Sequence, residues 1–371
     1  TGSDTIADFS IAGGDKIKIT GVLADGFSIA TDVVLGATAG QTASAAVLVE
    51  ADFADDIYLV ARDGNVLNGF DTAVNVFSTG TTAAFNTDAK AQAATVFDVT
   101  LGAGGNTVVL GANGDKLVGG SGADVVTGGA GVDNLSGLAG ADKFIIGTSD
   151  DAVGETYTGG DDTDTLDVNA AANLANDTIA TMEILDLDAT GVAVAVTMTD
   201  AQVDGFTTIV AAASAIGSGD KITLSDVMTA DMLDDTVLGA STTADEVIFI
   251  LADVASNALT LVDATLAQAS DKLYIDGSNL TGTNALTFIG TAEDDAAVLT
   301  VTGGAAADTI RGGDGADVIT GGVGADQLTG DAGNDTFFFA DGDSGAFNID
   351  GGNAKLASTV NFDIILDAAA G

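Results

Sequence analysis

Nine short polar side chains recur in this chain at a fixed interval, each followed two places later by a large apolar residue. In residues 101–145 they are Asn106, Asp115, Asp124, Asp133 and Asp142; in residues 303–338 they are Asp308, Asp317, Asp326 and Asp335. Their apolar companions are Val108, Leu117, Val126, Leu135 and Phe144, then Ile310, Ile319, Leu328 and Phe337. A carboxylate on a short side chain, held in a turn and repeated at constant spacing, is a ligand for a hard cation. If two nine-residue units complete one flattened coil, equivalent turns meet every 18 residues. Asp115 then meets Asp133, Asp124 meets Asp142, Asp308 meets Asp326 and Asp317 meets Asp335. Turn carbonyls from Gly120, Gly122, Gly129 and Gly131, and from Gly313, Gly315, Gly322 and Gly324, would complete an all-oxygen cage. Such a cage suits Ca²⁺, whose coordination is flexible, better than Mg²⁺, which keeps more of its water.

The elements that position these residues follow from the same spacing. Units such as GGSGADVVT (119–127) and GGDGADVIT (312–320) fit G-G-x-G-x-D-x-U-x, with U a large apolar residue. The first six positions predict a tight turn, where glycine supplies positive φ and lets neighbouring turns approach. The last three predict a short strand with its position-eight side chain turned inward. A flexible glycine-rich linker has no reason to place an apolar residue two positions after every ligand position. Some units depart from the pattern: Asn106 replaces an aspartate, Leu101 and Leu110 replace position-one glycines, and Asn113 and Ala306 replace position-four glycines. GGDDTDTLD (159–167) adds a further turn and strand, with Asp164 in the ligand position.

These residues resemble the RTX (repeats-in-toxin) calcium-binding nonapeptide family, and the chain is similar to RTX-type surface-layer and extracellular filament proteins. The nine repeats cover less than a quarter of the chain. The resemblance implies secretion from a Gram-negative bacterium by one-step (type I) export, often with an uncleaved C-terminal signal. It also implies repeats that stay unfolded where calcium is scarce and fold outside the cell. The expected fold is all-β, a parallel β-roll or β-helix solenoid with two RTX blocks and an additional β-rich lobe. The expected divisions are 1–100, strand-rich with a possible lobe over 15–100; 101–167, the first block; 168–302, an irregular β-helix or other β-rich segment; and 303–371, the second block and C-terminal end.

Composition narrows the function. Of 55 acidic residues only Glu50, Glu155, Glu183, Glu246 and Glu293 are glutamates, a bias toward the shorter carboxylate that fits turns and fixed-range ligation. With 10 basic residues and a net charge of −45, no basic patch is available for nucleic acid phosphates. No apolar run approaches the roughly 18 residues of a membrane span. Cys, His, Pro and Trp are absent, so a disulfide framework, the usual zinc sites and His-dependent triads are excluded. Secreted proteases with H-E-x-x-H and lipases both require the missing His. Sugar-cleaving clefts usually offer aromatic platforms, whereas Tyr58, Tyr157 and Tyr274 are scattered. The expectation is a protein that is not an enzyme.

Between the blocks, strands are expected at Leu185–Leu187, Val192–Met198, Lys221–Leu224, Val247–Leu251, Leu259–Val262, Lys272–Ile275 and Ala285–Ile289, with short helical turns near 173–183 and 198–206. The two ends read together carry another signal. Ala370-Gly371-Thr1-Gly2-Ser3-Asp4-Thr5-Ile6-Ala7 spells a near-complete repeat with Asp4 as ligand. This predicts either one unit of a tandem array or subunits that stack head to tail and complete the split turn, and such a contact makes a filament when it does not close. No initiator Met or N-terminal signal is present, so the chain is expected to be processed, a fragment, or exported through a signal elsewhere. The leading expectation is a calcium-dependent structural subunit whose partner is itself. The alternative is an adhesin module whose lobe would take a cell-surface polysaccharide without polymerising.

Overall fold

The computed structural model describes side chains over residues 99–338, apart from residues 102, 149, 188–192, 212–218, 239–245, 263–264, 267–271 and 292–296. Outside that span it describes the backbone of the strands Ala43–Val49, Ile57–Val60, Phe70–Phe77, Phe85–Asp88, Asn348–Ile349 and Ile364–Asp367, and the start of Val96–Thr100. Two compact units divide the chain: Thr1–Ala170 with Asn176–Glu183, and Ala171–Ala175 with Ile184–Gly371. Each is built from parallel strands, as an all-β solenoid requires.

In the first unit, consecutive strands alternate between two sheets. One sheet runs, in hydrogen-bonded order, Ala43–Val49, Phe70–Phe77, Val96–Thr100, Lys116–Val118, Asn134–Ala139, Thr156–Asp161, Thr178–Ala180. The other carries Ile57–Val60, Phe85–Asp88, Thr107–Val109, Val125–Thr127, Lys143–Ile146 and Thr165–Val168. Pairing Lys116 with Asn134 and Thr107 with Val125 sets the coil at 18 residues within the nonapeptides. The segment 15–100, expected to project as a lobe, contributes described strands that extend these two sheets in parallel register.

The three-residue strands Thr107–Val109, Lys116–Val118 and Val125–Thr127 bury their middle side chain and turn the flanking two outward, the period-two rule acting on the shortest possible strand. Position-eight residues therefore stack into columns. Val108, Val126, Phe144 and Leu166 align on one sheet, and Leu117, Leu135, Tyr157 and Ile179 on the other. Most are fully buried, and Phe144 meets Tyr157 edge-on at 6.1 Å between ring centres. Each coil thus turns at least two large apolar side chains into a narrow core, and the coil of residues 101–118 adds Leu101 and Leu110.

The second unit repeats this architecture with longer coils. One sheet runs Ala172–Asn173, Ala195–Met198, Asp220–Leu224, Glu246–Ile250, Lys272–Asp276, Val298–Thr302, Val318–Thr320, Thr336–Phe338. Ala195 pairs with Lys221 and Lys272 with Val298, a 26-residue step, whereas Thr300 pairs with Val318 and Val318 with Thr336, an 18-residue step. The irregular segment is therefore a parallel β-helix whose coils shorten to the nonapeptide length as the second block begins. The strands Asn257–Thr260, Leu286–Ile289, Thr309–Arg311 and Gln327–Thr329 pair the same way on another sheet.

One four-residue helix, Asp200–Val203, lies within the helical turn expected over 198–206; Thr199 caps it and Gln202 closes a capping box. The helical turn expected near 173–183 is instead the strand Thr178–Ala180, because Ile179 sits in register on Tyr157 and continues the core column. Phe144→Ala, which empties the largest position-eight site of the first block, should destabilise the calcium-loaded protein by about 3–5 kcal/mol in urea unfolding.

Candidate metal centre

The residue immediately before each strand turns its carboxylate toward the preceding coil and accepts a backbone N–H there. On one edge of the first unit, Asp133 Oδ1 accepts from Asp115 N at 2.6 Å. On the other, Asp124 Oδ1 accepts from Asn106 N at 2.8 Å, Asp142 Oδ1 from Asp124 N at 2.7 Å, and Asp164 Oδ1 from Asp142 N at 2.7 Å. Asn106 adds a side-chain bond to Asp124 Oδ1, so the asparagine at the head of the column serves as donor to the acid below. In the second unit Asp326 Oδ1 accepts from Asp308 N at 2.8 Å and Asp335 Oδ1 from Asp317 N at 3.1 Å. The structure thus brings together the four carboxylate pairs expected from the 18-residue spacing. Asp115, Asp124, Asp133, Asp142, Asp164, Asp308, Asp317 and Asp326 are buried, and Asp335 is half-buried. Asp4 lies outside the described residues.

The second carboxylate oxygen distinguishes two kinds of turn. In four turns the position-two glycine donates its N–H to the aspartate of its own repeat: Gly111 to Asp115, Gly120 to Asp124, Gly304 to Asp308 and Gly313 to Asp317, at 2.7–3.3 Å. In other turns position two has positive φ: Gly129 at 92°, Leu138 at 74°, Gly160 at 130° and Gly322 at 88°. There the amide points elsewhere, and Asp133 Oδ2, Asp142 Oδ2 and Asp164 Oδ2 are buried without a hydrogen-bond donor. The sign of one backbone angle decides whether the turn's own amide satisfies the carboxylate.

Glycine is required at the other positions by close approach. A Cβ on position-one Gly128, Gly137 or Gly312 would strike the carboxylate of the same repeat. Position-four Gly122, Gly131, Gly315 and Gly324 lie against the backbone of the preceding coil, and a Cβ at Gly129 or Gly322 would meet the carbonyl of Gly111 or Gly304. The Gly120 and Gly313 carbonyls accept the amides of Ala139 and Ala332 at 3.2 Å, which leaves each with a second lone pair.

Electrostatics make these columns costly in isolation. Burial, opposed by the Asp115 amide and reinforced by the Asp115 charge, pushes Asp133 up to about 7. Burial likewise raises Asp142 to about 7, with the charges of Asp124, Asp164 and Asp162 adding to the rise. Asp317 rises to about 6 from burial with the charges of Asp335 and Asp331, and burial raises Asp124 and Asp164 as well. Ion pairs of Lys143 with Asp167, Lys272 with Glu246 and Arg311 with Asp331 engage acids outside these columns. Buried, donor-poor carboxylate oxygens in an all-oxygen surrounding are what a hard divalent cation needs.

The columns also extend where the nonapeptide pattern stops. Glu155 precedes Thr156–Asp161 and aligns with Asp133; Asp177 precedes Thr178–Ala180, and its Oδ1 accepts from Glu155 N at 3.0 Å; Glu183 Oε2 accepts from Asp164 N at 2.8 Å. Sequence reading by the glycine pattern missed all three. The signal that could have found them is an acid two places before an inward apolar residue: Glu155 before Tyr157, Asp177 before Ile179, Glu183 before Leu185.

Comparison with known families matches residues 109–144 and 302–337 to the RTX calcium-binding nonapeptide repeat (4 copies). No curated protein and no solved structure matches the chain. The chain carries RTX repeats, and calcium is the ion that such repeats bind.

Two outcomes follow from this geometry. A carboxyl with a folded pKa near 7 and an unfolded one of about 4 favours folding while protonated, a contribution that is full below about pH 4 and lost as pH rises through about 7. Calcium-free protein, stripped by resin, should therefore show more β-structure by circular dichroism at pH 5 than at pH 8; equal spectra would contradict the buried columns. Leu138 holds left-handed backbone while 48% exposed, so Leu138→Gly should raise stability by roughly 0.5–1 kcal/mol in calcium, measured by urea unfolding.

Proposed function

We propose that this chain is a calcium-dependent, self-assembling structural protein of the exterior of a Gram-negative bacterium. It serves as a subunit or repeat of a surface filament or surface layer, is exported by the type I route, and folds on binding Ca²⁺ after secretion. The aspartates Asp115, Asp124, Asp133, Asp142 and Asp164, and Asp308, Asp317, Asp326 and Asp335, would hold the ions together with turn carbonyls. Calcium supplies charge neutralisation. The chain's own part is to present the carboxylates in register, bury them, and let the position-eight residues close into a core. Because the columns exist only in stacked coils, binding energy becomes folding energy.

The observation that carries the assembly reading is the edge of the second block. Thr336–Phe338 is the outermost described strand of its sheet. Phe337, stacked on Ile319, is only half-buried, whereas Ile310, Ile319 and Leu328 are fully buried, and Phe338 is 55% exposed. A parallel strand outermost among the described residues, beside an incompletely covered aromatic column, is a template for another coil. A second copy supplies strands of the same spacing and direction. The role is structural rather than catalytic, in keeping with the absence of His and Cys from the chain.

Negative-stain microscopy in millimolar calcium and after excess EGTA tests this reading. Fibres or sheets that dissolve in EGTA are the expected result. Dispersed particles in both conditions would overturn assembly and favour a monomeric adhesin module.

A further inference from the structure

The loop between Lys143–Ile146 and Thr156–Asp161 interrupts the nonapeptide rhythm, for Glu155 follows Asp142 by thirteen residues instead of nine. Backbone bonds fix this loop at both ends. Asp150 N donates to Gly147 O at 3.2 Å, while Gly154, at φ 98°, and Glu155 both donate to Asp177 Oδ1, at 2.7 and 3.0 Å. The result is a close grouping of three buried acids. Asp133, Asp150 and Glu155 each bring a carboxylate oxygen within 4.8 Å of the others. They are 2%, 3% and 0% exposed.

A second observation points to a ligand among them. Glu155 is oriented by the Tyr157 hydroxyl, which donates to its Oε2 at 2.7 Å, and its Oε1 has no hydrogen-bond donor. Asp133 is held the same way from the other side. Its Oδ1 takes the Asp115 amide and its Oδ2 has no donor. Two buried carboxylates thus each commit one oxygen to the protein while Asp150 stands close to both, and Asp177 adds its charge at Glu155. An arrangement of this kind lacks a positive centre, and the ligand set is entirely oxygen.

We infer that Asp133, Asp150 and Glu155 form a calcium site outside the nonapeptide pattern, built by the irregular loop where the first block ends. Calcium as the ion rests on the reading of the repeats as calcium sites; the position of this site does not. Asp133 is shared, facing Asp115 with one oxygen and the loop with the other. The site ties the loop to the column, so that coils carrying no glycine motif remain locked to those that do. Tyr157 touches the ligand Glu155 and is its positioning residue.

Tyr157 makes the site readable, since a bound Tb³⁺ ion is excited by a neighbouring phenol. In the full chain, Tb³⁺ should give tyrosine-sensitised emission that calcium displaces. Glu155→Gln, which keeps an acceptor for the Tyr157 hydroxyl, should lose most of that emission and bind one calcium ion fewer by equilibrium dialysis. Asp150→Asn, a change in the loop outside both sheets, should do the same and guards against a folding defect at Glu155. Asp161→Asn, an exposed acid at the end of the strand that carries Tyr157, should keep the emission. Unchanged emission and unchanged calcium count in both Glu155→Gln and Asp150→Asn would overturn the site while leaving the repeats intact. A wild-type chain that binds no calcium would overturn both readings.

Discussion

The constraint on which this structure depends is the burial of one carboxylate per half-coil, each in register with the next. The register is enforced by a hydrogen bond, since the acid of one coil accepts the amide of the corresponding residue in the coil before it, as Asp142 does from Asp124. That bond needs parallel strands, a fixed coil length and glycines where the turns approach. It also places like charges close together out of water, which no protein tolerates without protons or cations. With 10 basic residues against 55 acids, the chain cannot supply the cations itself. The fold therefore depends on its environment for charge balance, and calcium meets that need.

Within this scheme the turns are not equivalent. Where position two has negative φ, its amide reaches back to the carboxylate and the turn is satisfied internally; where φ is positive, the oxygen is left open. Both signs of φ occur in each block, as Gly120 and Gly129 illustrate in the first and Gly313 and Gly322 in the second, and the open oxygens of the first block are those of Asp133 and Asp142. Leu138 adopts the second kind despite its side chain, so the column there outweighs a local backbone cost of about 1 kcal/mol.

The nonapeptide blocks were legible in the sequence down to single residues. Glycine positions, buried aspartate positions and inward apolar positions are all dictated by one nine-residue period, and period is visible without neighbours. The strands of the irregular segment were legible within a few residues, because runs such as Glu246–Ile250 have few alternatives. What escaped was the part that depends on three-dimensional register. Ile179 looked able to join a helical turn until its place above Tyr157 fixed it as a strand. Glu155, Asp177 and Glu183 carry no glycine signature, and only pairing with the preceding coil reveals that they share the register of the repeat aspartates. The clustering of Asp150 with Asp133 and Glu155 was hidden for the same reason, since a thirteen-residue step breaks the period that would have announced it.

Residue-resolved hydrogen exchange with and without calcium tests the central claim most directly. The amides that donate to carboxylates, those of Asp115, Asp124, Asp142, Asp308 and Asp317, report on the columns themselves. They should exchange at the rates of an unfolded chain at pH 8 without calcium and become strongly protected when calcium is added. Equal protection in both states would mean that the columns stand without the ion, and would contradict the account.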